Sequence, residues 1–257
     1  MRICYLMLDN SFGPWTEYYS QGPESTWVQS LSKSDYYVKY QGRKPIFEIL
    51  NRAVNRAMIS RPGTRIWQYF NVLIGGGLPR VTKVEEDLIE IDCFESWNNI
   101  SRKTVAALEF CLANYQFDYL VRCNSTLYLK PEKLRVHLSQ VQSKFYYAGP
   151  SQISKQFISG WCVIMSRDTA RVVIDNYKKS DLGLFDDESI GQILRRNDIY
   201  PTTIKYEQIY DESDRAKVVQ SREGNNFIWR VKNDTEGQRI SSWQMKNLHR
   251  WLSEMNS

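Results

Sequence analysis

Residues 87–134 read DLIEIDCFESWNNISRKTVAALEFCLANYQFDYLVRCNSTLYLKPEKL, and the changes of period inside this stretch decide the fold. Leu88, Ile89, Ile91 and Cys93, interleaved with acids, predict a strand near an opening of a sheet. The acids thicken at Asp92 and Glu95. From Ser101 the apolar positions Val105, Leu108, Leu112 and Tyr115 recur at steps of three and four. That is one face of an amphipathic helix, with Ser101 as its expected cap. Phe117 to Cys123 predicts a second strand, which runs into the small polar side chains Asn124, Ser125 and Thr126, and Pro131 opens a further helix. In open α/β folds such a unit leaves loops at the carboxyl ends of neighbouring strands, where ligands collect.

Toward the amino end, Arg2 to Leu8 predicts a first strand ending at Asp9-Asn10, either a nucleoside-binding turn or a polar exit from the core. Residues 13–35 carry Trp15, Tyr18, Tyr19 and Trp27. They either line a sugar site or form an irregular connection packed by its own rings. Asp35 to Tyr40 predicts another strand, followed by a turn at Gly42 and a helix over 45–59 on which Arg52 and Arg56 lie one turn apart, for solvent or for phosphate. Residues 66–73 suit either helix or strand. Gly75, Gly76 and Gly77 have neither the dinucleotide fingerprint nor the P-loop spacing and read as a connection. Residues 81–86 lead back to the central strand.

Toward the carboxyl end, a helix is expected from Lys133 to Gln142 and a strand over 145–148, closed by Gly149-Pro150. Ser159-Gly160 lets backbone approach a ligand while Val163-Ile164-Met165 anchors the segment in the core. A helix over 167–177 precedes Asp186-Asp187-Glu188, a helix start whose acids complement the helix dipole, with Ile190, Ile193 and Leu194 on one face. One or two strands over 199–210, a solvated acidic loop at 211–214, an edge strand over 227–232 and a terminal helix over 241–255 complete the reading.

The chain has 257 residues, 42% of them hydrophobic and 25% charged, which suits a single globular α/β domain over 1–257. A net charge of +5 with scattered basic residues does not suggest nucleic acid and is compatible with a site for a nucleotide diphosphate. Five cysteines, Cys4, Cys93, Cys111, Cys123 and Cys162, sit mostly in apolar runs and are expected as reduced core thiols. His137 and His249 are the only histidines, so neither a His/Cys metal cluster nor a Ser-His-Asp triad is visible. No stretch approaches the ~20 apolar residues of a membrane span, and MRICYLMLDN lacks the form of a signal peptide. With Met placed directly on an apolar strand, the expectation is a cytoplasmic protein of a microbe or virus.

Four segments in order resemble the inverting β-1,3-glycosyltransferases of the Fringe, galactosyl- and N-acetylglucosaminyltransferase type. Glu95-Ser96-Trp97-Asn98-Asn99-Ile100-Ser101-Arg102-Lys103-Thr104 follows that family's helix entry Asp-Ser-Tyr-x-Asn-Leu-Thr-x-Lys-Thr. Arg122-Cys123-Asn124-Ser125-Thr126 stands where the family has Lys-Thr-Asp-Asp-Asp, so the metal-binding acids are replaced by neutral groups. Residues 158–168 look like its Ser-Gly-Gly-Gly-Tyr stretch, with Trp161 in place of a small residue, and residues 186–191 look like its Glu-Asp-Val-x-x-Gly.

The resemblance implies a GT-A-type, Rossmann-like α/β fold: a mixed, mostly parallel sheet with helices on both faces. The function it implies is inverting transfer of a sugar from a nucleotide diphosphate sugar donor to a glycan or glycoconjugate acceptor. It maps the catalytic base onto Asp187. Donor contacts fall on Asn124, Ser125, Thr126 and Arg122, with Asp92 and Lys103 on the donor side. Acceptor contacts fall on Ser159, Gly160, Trp161 and Asp186, Trp161 being a core residue in the alternative. Without the acidic triplet, a divalent metal such as manganese is not expected, and Lys103, Arg122, Arg230 or Lys232 is left to supply positive charge. The rivals are a catalytically inactive nucleotide-sugar or carbohydrate binding protein and a nucleotidyltransferase on a similar sheet.

Overall fold

A computed structural model of the chain describes residues 1–9, 15–43, 79–96, 99–151, 156–178, 181, 184–223, 226–231 and 241–254. The helix expected over 45–59, with Arg52 and Arg56, lies outside these residues, as do the 66–73 segment, the three glycines and Lys232.

The sheet grows outward from β1 (Ile3–Leu8), an unbroken apolar run. Such a run without alternation is what a strand buried on both faces requires. Ile3, Tyr5 and Met7 enter one core layer, and Cys4 and Leu6 enter the other. β2 (Tyr36–Arg43) and β5 (Tyr119–Cys123) flank β1 in parallel, with Leu6 opposite both Val38 and Arg122. β4 (Leu88–Phe94) is parallel to β2, and β3 (Val81–Glu85) pairs antiparallel with β4 at the edge. On the other side, β8 (Cys162–Ser166) is antiparallel to β5, β7 (Tyr147–Gly149) is antiparallel to β8, and β9 (Thr202–Thr203) is parallel to β7. The order is β3-β4-β2-β1-β5-β8-β7-β9, with four parallel and three antiparallel pairings among the described residues. This is the mixed, mostly parallel sheet that was expected.

Helices cover both faces. On the Leu6 face lie α2 (Ile100–Asn114), α4 (Arg167–Asn176) and α5 (Asp186–Arg195). They bury Leu108, Val173 and Ile193 against the strands. On the Tyr5 face lie α3 (Pro131–Gln140) and α7 (Ser241–Glu254), with Leu134, Leu138, Met245 and Leu248 in the core. Each fully buried Leu or Ile of these layers stabilises the fold by roughly 1.5–3 kcal/mol relative to exposure.

Several local expectations are corrected. The stretch read as either a sugar-site lining or an irregular connection holds α1 (Trp15–Gln21) and a 3-10 turn (Trp27–Ser30). Trp27 packs on Tyr5 at 6.0 Å and donates its indole N–H to the Leu127 carbonyl at 2.8 Å, so it anchors the core. Ser101 is not the cap of α2. The helix begins at Ile100 after Asn99, and the Ser101 hydroxyl donates to the Leu184 carbonyl, because the entry to α5 lies against the entry to α2. Gly42 is no turn but a strand residue, held there by backbone packing: a Cβ would stand 2.7 Å from the Cys93 carbonyl oxygen and 2.8 Å from Glu95 N.

The strand expected at an edge, β11 (Ile228–Val231), is the middle of a second sheet between β10 (Glu207–Ile209) and β6 (Leu127–Leu129). The alternation of residues 227–232 gave it the look of an edge, but Ile228, Trp229 and Val231 are all buried. The acidic stretch 211–214 is an ordered 3-10 turn closed by a capping box, leading into α6 (Arg215–Glu223). Asp214 is buried, accepts from Tyr210 N at 2.7 Å and pairs with Lys217. All five cysteines are free, four of them buried. Among the described residues no helix is long and apolar enough to cross a membrane.

The two histidines set an acid limit on stability. His137 shares a hydrogen bond with the Tyr146 hydroxyl at 2.8 Å, and His249 one with the Tyr128 hydroxyl at 2.9 Å. Burial holds both below the ordinary value of 6.5, with Lys130 adding to the effect on His249. In this window the unfolded chain binds more protons, so stability is fully present above about pH 6.5 and is lost as the pH falls through the depressed values. Denaturant midpoints measured from pH 8 to pH 5 should therefore fall, and the double variant His137→Gln, His249→Gln should flatten that slope. An unchanged slope removes the histidines as its cause.

Candidate active site

Because β1, β2, β4 and β5 run parallel, their carboxyl ends share one edge of the sheet. Asp9, Glu95 and Asn124 directly follow the ends of β1, β4 and β5, and Gly42 is the penultimate residue of β2. β8 runs the other way and starts at the same edge, so Gly160 and Trp161 arrive beside Asn124, with Cys162 paired to Cys123. The amino ends of α2 and α5 face the same edge, bringing Thr104 and Asp186 within hydrogen-bond reach of each other.

The floor of the site is a buried polar network. Arg122, 1% exposed, pairs with Asp186, 3% exposed. The Arg122 Nε–H donates to the Tyr40 hydroxyl at 3.1 Å. The Thr104 hydroxyl lies 2.9 Å from the Tyr40 hydroxyl and donates to Asp186 Oδ2 at 2.9 Å. Two strands and two helices are thereby tied by charge-assisted bonds in a medium where an unpaired partner is costly. Burial raises the Asp186 carboxyl above the ordinary carboxylate range, against the pull of Arg122. Burial also pushes the Tyr40 phenol up to about 12, again opposed by Arg122.

Asp187 stands one residue further along α5, half-buried rather than enclosed. Its Oδ2 accepts the Gly160 N–H at 3.0 Å, and its Oδ1 accepts the Glu188 N–H at 2.9 Å. Each oxygen keeps a lone pair for an incoming O–H. Gly160 is packed tightly: a Cβ there would lie 3.1 Å from Arg122 Nη1, 3.3 Å from Asp186 Oδ1 and 3.3 Å from Asp187 Cβ. A glycine thus lets this backbone sit directly on the ion pair and on the candidate base.

The Asn124-Ser125-Thr126 loop turns on itself. Asn124 Oδ1 accepts from Thr126 N at 3.0 Å and from the Thr126 hydroxyl at 2.8 Å, and Leu127 N donates to the Asn124 carbonyl at 3.1 Å. Ser125 is buried beside Tyr19, whose phenol is pushed up by burial and by Asp9. A metal of the kind that family's acidic triplet holds is not matched by these residues. The loop offers no carboxylate, its amide oxygen already accepts two bonds, and no group of three or more His, Cys, Asp or Glu suited to an ion exists among the described residues.

The remaining expected site residues fall into distinct positions. Lys103 is 2% exposed and pairs with Glu95, whose second oxygen accepts the Gly42 N–H at 2.6 Å. This pair closes the end of β2 and faces inward. Arg122 is likewise committed to Asp186 rather than turned toward a donor. Asp92 stands on the rim, paired with Arg43 at 3.1 Å. Ser159 is held by its backbone, with N–H to Pro150 O at 2.9 Å. Trp161 is 3% exposed, with the Tyr206 ring at 5.1 Å and the Arg230 guanidinium at 5.5 Å, so it offers no open face to an acceptor.

Sequence reasoning assigned no role to Tyr40, Thr104 or Glu95. Glu95 and Thr104 stand within the segment resembling the family's helix entry, and that was the only signal for them. Tyr40 gave none, since a tyrosine in a strand reads as core.

No protein-family model and no curated protein matches the chain. Among solved structures it is similar to the apo form of the glycosyltransferase GlyE in Streptococcus pneumoniae TIGR4, at 10% identity over 99% of this chain and 62% of that one, with a TM-score of 0.44. It is also similar to the galactosyltransferase LgtC in complex with donor and acceptor sugar analogs, at 11% identity over 97% of this chain and 95% of that one, with a TM-score of 0.44. The chain thus spans about 62% of the GlyE chain's length. Likeness this distant leaves the roles of individual residues to the geometry of this site.

Proposed function

We propose that the chain is a glycosyltransferase that moves a sugar from a nucleotide diphosphate sugar to a hydroxyl of a glycan or glycoconjugate, with inversion, as in the β-1,3-glycosyltransferases it resembles in sequence. One observation carries the reading. The half-buried carboxylate of Asp187, fixed by the Gly160 and Glu188 N–H groups, stands at the strand edge where the Arg122 to Thr126 segment and the Gly160 loop also arrive.

In this reading Asp187 takes the proton of the acceptor O–H as that oxygen attacks the anomeric carbon. The new glycosidic C–O bond forms on the face opposite the leaving group. The old C–O bond breaks, and its electron pair leaves with the diphosphate. The Arg122–Asp186 pair does none of this chemistry and holds the start of α5, and so Asp187, in place.

A thermal-shift screen of nucleotide sugars, followed by the anomeric configuration of the product, tests the reading. One donor nucleotide should raise the melting temperature, since a ligand at a hundred times its Kd adds about 2.7 kcal/mol. Product of inverted configuration is expected. Product of retained configuration sinks a direct displacement with Asp187 as base. Stabilisation by a donor without turnover on any acceptor favours an inactive nucleotide-sugar binding protein, which the neutral Asn124-Ser125-Thr126 loop would suit equally.

A further inference from the structure

We propose that Tyr147 is a positioning residue for the Asp187 base, acting on it through the segment from Ile158 to Gly160. This rests on the reading above that Asp187 takes the acceptor proton. Tyr147 acts from within the core: it lies on β7, 1% exposed, in the same apolar layer as Ile158 and as Ile190 and Ile193 of α5.

Three consecutive N–H groups of the segment each have a different acceptor. Ile158 donates to the Tyr147 hydroxyl at 2.9 Å, Ser159 to the Pro150 carbonyl at 2.9 Å, and Gly160 to Asp187 Oδ2 at 3.0 Å. The first two acceptors belong to β7 and the residue that follows it, and the third to α5, so the segment ties that strand to the helix carrying the base. Glycines make its seat tight. At Gly149, where φ is +153°, a Cβ would run into the Cys162 carbonyl oxygen and the Ile158 side chain, and at Gly191 on α5 a Cβ would run into Phe157. With β7 on one side and α5 on the other, the segment has little room to shift while its anchors hold.

Two of the three acceptors are side chains, Tyr147 and Asp187, and Tyr147 is the one that can be altered without touching the base. Burial raises its phenol above the ordinary value, the Ile158 bond opposes this, and the Asp187 and Asp186 carboxylates add to the rise. The oxygen therefore stays a neutral hydroxyl close enough to both carboxylates to feel their charge. Removing it leaves the Ile158 N–H buried without an acceptor, a cost relieved by shifting the segment. The Gly160 N–H then leaves Asp187 Oδ2, and the carboxylate loses a bond that fixes its direction.

Tyr147→Phe in the whole chain tests this, read by amide hydrogen exchange and by turnover. Exchange at Ile158 and Gly160 should speed up together, while the β8 amides Val163 and Ile164 keep their protection, which separates release of the segment from general destabilisation. With the donor and acceptor pair found in the nucleotide-sugar screen, kcat should fall by roughly 10- to 100-fold, the cost of a reacting group displaced by about 1 Å, with KM for the donor unchanged. Tyr146→Phe is the control: it removes the neighbouring hydroxyl, bonded to His137 in the other core layer, and should leave both kcat and Gly160 exchange as in wild type. Unchanged Gly160 protection in Tyr147→Phe overturns the proposal while leaving the proposed function standing, as does a kcat no lower than that of Tyr146→Phe. Absence of turnover in the wild type overturns the functional reading, and the exchange result alone then decides whether Tyr147 holds Gly160 on Asp187. Should Tyr147→Phe fail to fold, wild-type exchange decides: equal protection of Ile158, Ser159 and Gly160 supports one anchored unit, and Gly160 exchanging well ahead of Ile158 overturns it.

Discussion

Asp187→Asn should lower turnover by about two to four orders of magnitude, the usual worth of a positioned general base, and leave donor affinity unchanged. The amide keeps the size of the carboxylate, and its one oxygen can still accept the Gly160 N–H now held at 3.0 Å. What it loses is a basic oxygen for the acceptor proton. A uniform loss of affinity would instead mean that Asp187 is a structural tie between α5 and the Gly160 loop. Turnover equal to wild type, once a donor and acceptor pair is in hand, removes Asp187 from the mechanism. The neighbouring Asp186→Asn should not mimic this split, because Asp186 is buried against Arg122 and Thr104; it should act on stability first.

The largest effect on stability is expected at Arg122. Replacing it with Met should destabilise the fold by about 3–5 kcal/mol, because Asp186 is left buried without its counter-charge and Tyr40 loses a donor. The pair as such need not be stabilising, since desolvating two charges offsets much of their attraction. The double change Arg122→Met, Asp186→Leu should accordingly recover a large part of the loss. Denaturant unfolding of the two single variants and the double variant measures the coupling. Additive losses would show that the two residues do not act as a pair. In either variant turnover should fall, since the amino end of α5 carries Asp187.

The elements were largely legible from periodicity. An apolar run without alternation at Ile3–Leu8 can only be satisfied by burial on both faces, and the period change after Cys93 separates β4 from α2 wherever the chain folds. The polar endings Asp9, Asn124 and Asp186 were equally visible, because a buried strand must exit into polar turns and a helix entry favours acids. The neutral triplet was also plain, since ligand charge is a property of residue type.

What the sequence could not assign was which charged residue pairs with which. Arg122, Lys103 and Arg230 are all basic, and nothing in their spacing says that the first pairs with Asp186, the second with Glu95, and that the third lies over the Trp161 ring. That choice depends on partners 64 residues away, as for Arg122 and Asp186, or 8, as for Lys103 and Glu95. It depends equally on β11 lying inside a second sheet rather than at an edge. Ser101 was misread for the same reason, and at Trp161 the choice between an acceptor contact and a core residue stayed open. A hydroxyl at a helix start reads as a cap, and an aromatic beside a glycine reads equally as a pocket wall or as core, until the Leu184 carbonyl and the Tyr206 ring arrive from elsewhere in the chain. Periodicity records which face of an element is buried; only the packed chain decides what each buried polar group meets, because that energy belongs to pairs of residues and not to either one alone.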